Sequence, residues 1–178
     1  QLSILEGIHM RENKIDFLEK KVSDYCFNIS RQQLSNIQAN EVFAMISIVQ
    51  DIESIGDVVD ENIVPLVEKF QNIDEDFSID GKKEIVDYHL RAMKQFSRLQ
   101  RAFEKMHLKK AQKIMRKDLK YRNLESEYRT THLKRIQNVL TESIATHDVH
   151  VELMDYLKQI NVYSANIAKT IIDAEEAD

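Results

Sequence analysis

One proline, three glycines, one cysteine and no tryptophan are all that 178 residues provide of those four types. Four loop-forming residues are too few for a β-sandwich of short strands, which needs a turn signal about every ten residues. A single cysteine excludes a disulfide framework and any zinc site built on several thiolates. Cys26, beside Tyr25, reads as a small core residue. No run of about 18 apolar residues occurs, so nothing has the character of a membrane-spanning helix. Positive charge is also short: 25 basic against 30 acidic residues leave a formal net charge of −5. That balance speaks against a general nucleic-acid binder, because a phosphate backbone requires a basic face. No signal-peptide pattern is present and the chain opens on Gln1, which reads as an excised or processed piece from a reducing compartment. The length suits one domain with a sizeable core.

What the chain has in quantity is apolar residues at helical spacing. Val42, Met45, Val49, Ile52, Gly56, Val59, Ile63, Leu66 and Phe70 alternate steps of three and four without a miss. A similar series runs Ile4, Ile8, Arg11, Ile15, Leu18, Val22, Tyr25, Ile29, and the turn-like stretch 34–40 lies between the two. A short connection makes such helices antiparallel neighbours. Pro65, inside the second series, should kink that helix or start its last turn. After a polar connection over 71–81, a third helix carries Ile85, Tyr88, Ala92, Phe96, Leu99, Phe103 and Met106, with its end set near 107–110. A fourth carries Leu119, Leu124, Tyr128, Leu133 and Ile136. Polar residues 141–148 separate it from a fifth, with Val149, Leu153, Tyr156, Ile160, Ile167 and Ile171. The expectation is an all-α antiparallel bundle of about five long helices in one domain, 1–178. The first hairpin would take about 1–72, a connecting helix about 79–107, and the second hairpin about 109–175.

The two hairpins echo each other. Asp51-Ile52 and Asn62-Ile63 return as Asp155-Tyr156 and Asn166-Ile167 at an offset of 104, and Leu18-Glu19 returns as Leu124-Glu125 at an offset of 106. Two copies of a helix-hairpin unit, with the third helix between them, account for this.

Carboxylates punctuate the first copy. Glu53, Asp57 and Asp60 stand at i, i+4 and i+7 on the second helix; Glu12, Asp16 and Glu19 repeat the spacing on the first. The midpoint between the two sets falls at 34–35, at the edge of the turn, so an antiparallel pair brings them to one height. Acids facing one another there repel unless a cation sits between them, and Gly56 leaves room. Oxygen-only ligands suit Mg, Mn, Ca or Fe(II). The spacing equally fits a solvated acidic face paired locally with Lys14, Lys20 and Lys21. In the second copy, Glu53, Asp57 and Asp60 become Leu157, Asn161 and Ser164, and Asp16 becomes Arg122, so that copy cannot build the same site.

At these residues the chain resembles the PhoU family, whose signature is a Glu/Asp-x-x-x-Asp pair within an Asp-Leu-Glu-Arg-Ile-Gly-Asp-like helix ending Asn-Ile. Here it stands as Asp51-Ile52-Glu53-Ser54-Ile55-Gly56-Asp57, then Asn62-Ile63, preceded by Glu12-Asn13-Lys14-Ile15-Asp16-Phe17-Leu18-Glu19. The stretches 132–136, 142–144 and 150–161 resemble the PhoU-like region at the C-terminal end of bacterial sodium/phosphate cotransporter-family proteins. The resemblance covers nearly the whole chain. It implies tandem helical hairpins, metal clusters on the paired acidic motifs and a regulatory, non-enzymatic role in phosphate uptake. The implied partner is a transmembrane phosphate transporter domain of the same chain or complex, on the cytoplasmic side of the bacterial inner membrane. Ser54 departs from the usual Arg, the second motif is neutral, and most of the helix that precedes the first hairpin in a full PhoU is missing. At most one metal site carries over, on Glu12, Asp16, Glu53, Asp57, Asp60 and Glu19. The apolar flank at Ile4, Leu5 and Ile8 points to a homo-oligomer.

Other patterns compete. A free-standing PhoU-type regulator of phosphate ABC transport and signalling is the alternative within the family. Glu6-x-x-His9 and Glu104-x-x-His107 match half of a di-iron carboxylate enzyme, although they sit near a chain start and a helix end. His147 and His150 fit either a pair of metal ligands or solvated side chains beside a capping Asp148. The basic run Lys109, Lys110, Lys113, Arg116, Lys117, Lys120, Arg122 fits a phospholipid contact or a solvated face. No nucleophile–base set and no glycine-rich phosphate loop are present.

Overall fold

The computed structural model describes residues 2–176 apart from Met106 and Val139. Helix α1 spans Leu2–Ser30 and α2 Asn36–Asp57. A π-helical stretch, Val58–Ile63, leads into α3, Val64–Gln71. Then come α4 (Ile79–Phe103), α5 (Leu108–Gln137), the short α6 (Thr141–Ala145) and α7 (His147–Glu176). No strand occurs among the described residues. The all-helical bundle expected from the apolar spacing is therefore what the chain forms. Met106, expected on the third helix, lies outside the described residues.

Local chemistry sets the boundaries. Ser35 starts α2 with a reciprocal cap, its hydroxyl accepting from the Gln38 N–H at 3.2 Å and its own N–H donating to Gln38 Oε1 at 3.0 Å. Ser78 caps α4 by accepting from the Gly81 N–H. Pro65 offers no N–H to the Glu61 carbonyl and its ring crowds that group. The preceding turn widens in response, and the Val64 N–H reaches back five residues to the Val59 carbonyl. The helix continues through Pro65 without a sharp break.

Helix α7 is the axis of the bundle, packed against α5, α4 and α2. Small residues at the contact, Ala102, Ala111, Ala165 and Ala168, let the helices approach closely around Ile48, Ile55, Leu99, Ile114, Ile167 and Ile171. A second cluster joins Tyr88, Ala92, Tyr121, Met154 and Leu157. Each large side chain buried in this way contributes about 1.5–3 kcal/mol. Helix α1 packs on α2 and the π stretch, on the outside of the bundle.

Several expected core positions are therefore solvent-facing. On α1, Ile4, Leu18 and Tyr25 are exposed because α2 covers only one side of the helix; Cys26 is fully buried, as expected of a small core residue. On α4 and α5, Phe96, Phe103, Leu119 and Leu133 are exposed, and the buried stripes run one face over. The 141–148 connection is largely helical, and Asp148 lies within the first turn of α7. His150 is 2% exposed rather than solvated, because that turn packs against His132 and Glu84.

Candidate metal centre

The α1–α2 hairpin brings acids together at the height the turn dictates. Glu12, Asp16 and Asp57 each offer an oxygen within 4.8 Å of the others. Glu12 is 7% exposed, and its carboxylate packs flat against Gly56, where a Cβ would lie 2.6 Å from Oε1 and 2.7 Å from Cδ. Glu12 Oε1 is buried and accepts no hydrogen bond. Burial pushes the Glu12 carboxyl up to about 7, with Asp16, Asp57 and Asp60 adding repulsion. Glu53 is raised too, by burial first and by Asp57 and Asp16 beside it. Asp60, on the π stretch, accepts from His9 Nδ1 at 2.9 Å. That contact holds the His9 imidazole above its ordinary range, with Asp16 and Glu12 contributing.

Of the six acids the sequence singles out, three share oxygens at ligand spacing and two, Glu53 and Asp60, border them. Glu19 stands apart, accepting from Ser23 Oγ at 2.8 Å. The spacing of acids gave no indication of His9, although it lies seven residues before Asp16 on the same helix face. Among the described residues the Glu6/His9 and Glu104/His107 pairs do not join in any cluster of ligand atoms.

The second hairpin carries a protein-borne cation at the equivalent level. Arg122, the counterpart of Asp16, pairs with Asp118, the counterpart of Glu12, at 2.8 Å. Asn161, the counterpart of Asp57, is neutral and 2% exposed. Where the first hairpin gathers acids with only His9 beside them, the second pairs its acid with an arginine.

Residues 2–62, the segment that holds the acidic cluster, match the family model of the PhoU domain. The fold is PhoU-like from end to end. It superposes on the crystal structure of PhoU from Pseudomonas aeruginosa with a TM-score of 0.84, covering 99% of this chain and 83% of that one at 16% identity. The phosphate transport system regulatory protein PhoU from Streptococcus pneumoniae gives a TM-score of 0.78, covering 99% and 81% at 18% identity. In sequence, the chain is 19% identical over 164 residues to proteins named "Putative inorganic phosphate export protein YjbB" in Escherichia coli (strain K12) and Shigella flexneri. The match takes in 92% of this chain and 30% of theirs, so the chain spans less than a third of those relatives.

Away from the acids of the first hairpin, His147 and His150, which the sequence pairs, are joined by His132 in a column of imidazoles. His132 and His150 stack with centroids 4.0 Å apart, and His132 Nε2 lies 2.9 Å from His147 Nδ1. Arg135 donates to both oxygens of Glu84 beside them, at 2.8 and 2.6 Å. Burial opposes ionisation of Glu84, yet Arg135 and His150 outweigh it and hold the carboxyl below its ordinary range. His132 is depressed to about 4, chiefly by burial and then by His150 and Arg135.

Proposed function

We propose that this chain is a non-catalytic, PhoU-type regulatory unit acting on phosphate transport, and that it binds one divalent cation through Glu12, Asp16 and Asp57. The observation that carries the functional part is the end-to-end correspondence with PhoU, including 83% of the Pseudomonas aeruginosa chain. In this reading the chain is a regulator that acts on a separate phosphate transporter from the cytoplasm. A second reading is a regulatory domain of a larger transport protein, in the manner of a sodium/phosphate cotransporter. It is supported by the relatives of which this chain matches 30%. Radiolabelled phosphate uptake in the source cells, with the segment deleted and then restored in trans, tests both. Uptake altered by the deletion and corrected in trans supports the separate regulator; correction only in cis supports the domain. Uptake unchanged by the deletion overturns both readings.

The cation part rests on Glu12. A nine-tenths buried carboxylate oxygen without a donor, aimed into two further acids, is costly unless a proton or a metal cation joins it, and above pH 7 the proton is lost. The donor set is oxygen only, which fits Mg, Mn, Ca or Fe(II). Once held there, such an ion would supply neutralising charge that ties α1 to α2. Glu53 and Asp60 add negative potential around the three ligating acids. The exposed apolar face of α1 supports assembly with a second copy.

A further inference from the structure

The basic run at the start of α5 has company. Lys94, Arg98 and Arg101 on α4 face Lys110 and Lys113 on α5, and with Ser97 they line a groove of about 440 Å³. Residues 94–120 contain ten Lys or Arg against two acids, in a chain whose net charge is −5. Both acids are engaged elsewhere: Glu104 accepts from Gln100, and Asp118 pairs with Arg122. Among the described residues, none of Lys94, Arg98, Arg101, Lys110, Lys113, Lys117 and Lys120 pairs with a carboxylate. Lys117 is held below the ordinary lysine range, chiefly by Lys120, with Arg98, Lys113 and Lys94 adding to it. Cations this close, without carboxylate partners, leave a strong unneutralised field.

Three features narrow what that field meets. The face is broad: at 1.5 Å per residue, the cations from Lys109 to Lys120 extend about 16 Å along α5. No glycine lies in 94–120, and glycine is the residue that most readily takes the left-handed conformation of a phosphate-cradling backbone nest. Apolar side chains border the cations. Leu90 precedes Lys94 by one turn on the same stripe and is 60% exposed, and Leu119, 66% exposed, adjoins Arg116 and Lys120. Flexible cationic side chains over a broad face, edged by exposed leucines, match an anionic lipid bilayer, where headgroups supply charge and the interface accepts apolar side chains. We propose that the outer face of the α4–α5 hairpin docks the protein on a membrane surface rich in anionic lipid. The helices adsorb without spanning, since no helix among the described residues is long and apolar enough to cross.

Vesicle flotation of the full chain tests this, using phosphatidylcholine vesicles with and without about one-third phosphatidylglycerol. The chain should float with the anionic vesicles, not with phosphatidylcholine alone, and should release at 1 M salt, where the Debye length is about 3 Å. Removing three cations in Lys110→Gln/Lys113→Gln/Lys117→Gln should lower the partition coefficient by roughly 100-fold. The Lys94→Gln/Arg98→Gln/Arg101→Gln variant should do the same, with circular dichroism reporting that each remains folded. Lys14→Gln/Lys20→Gln/Lys21→Gln removes equal charge from α1 and should float like the parent. Equal loss in that control, no flotation with anionic vesicles at low salt, or displacement by millimolar inorganic phosphate or double-stranded DNA would each overturn the proposal.

Discussion

Glu12 and Gly56 are complementary: the carboxylate of the one fills the space that a side chain on the other would need, with Cδ 2.7 Å from where a Cβ would stand. The close fit buries a charge-bearing group inside an acidic cluster. Gly56→Ala follows directly. The new methyl displaces a flexible carboxylate, and the helix interior gains about 1 kcal/mol from losing a glycine. Stability of the cation-free protein should therefore change little or rise. Cation binding, which needs Glu12 in place, should weaken by at least an order of magnitude in isothermal titration.

The pH dependence of the same group is set by its folded value of about 7, above the ordinary carboxylate value. A raised acid costs stability as pH climbs, so the cation-free chain should lose stability between about pH 4.5 and 7. Above that, the penalty is constant, at most about 3 kcal/mol. Glu12→Gln should flatten this slope in urea melts at several pH values. Bound cation displaces the Glu12 proton, so cation affinity should increase as pH rises through 7.

His132 gives a second pH window with the opposite sign. The group faces His150, His147, Arg135 and Glu84 and is held neutral, at about 4 against 6.5. Stability it contributes is complete above pH 6.5 and is lost as pH falls towards 4, on the order of 3 kcal/mol. Thermal melts of a His132→Gln variant should show a shallower fall in Tm over that range.

Arg122 stands in the second hairpin where a ligand acid stands in the first. Arg122→Leu leaves Asp118 buried without its partner and should destabilise by about 1–3 kcal/mol in chemical denaturation. Cation binding in the first hairpin should be untouched. A weakened first site would mean that the two hairpins are not independent.

The five long helices and their order were legible because steps of three and four persist through a chain with almost no turn residues; the short α6, inside the polar 141–148 connection, was not. The height of the acids was legible from the midpoint of the first connection. The buried faces of α4 and α5 were harder, because their stripes mix chemistries. Glu84, Tyr88, Ala92, Gln95, Leu99 and Ala102 keep the helical step, as do Ala111, Ile114, Asp118, Tyr121, Glu125 and His132. Counting apolar residues alone selects Phe96, Phe103, Leu119 and Leu133 instead, which face solvent. Polar residues enter these cores because partners from another helix meet them, as Arg135 meets Glu84 and the Ile114 carbonyl meets Gln95. Such pairing, across 51 residues in the first case and 19 in the second, leaves no local trace.

Titration of the chelator-treated chain with Mn(II) at pH 7.5, parent against Glu53→Gln/Asp57→Asn, tests the central claim most directly. The parent should bind one ion and, at about 100 times Kd, gain about 2.7 kcal/mol, a Tm rise of roughly 5–10 °C. The double variant should bind none in the same range and melt no lower than the parent without metal, since two mutually repelling charges are gone. Equal binding by parent and variant, or none by the parent, would contradict the account and leave the acids as a solvated face.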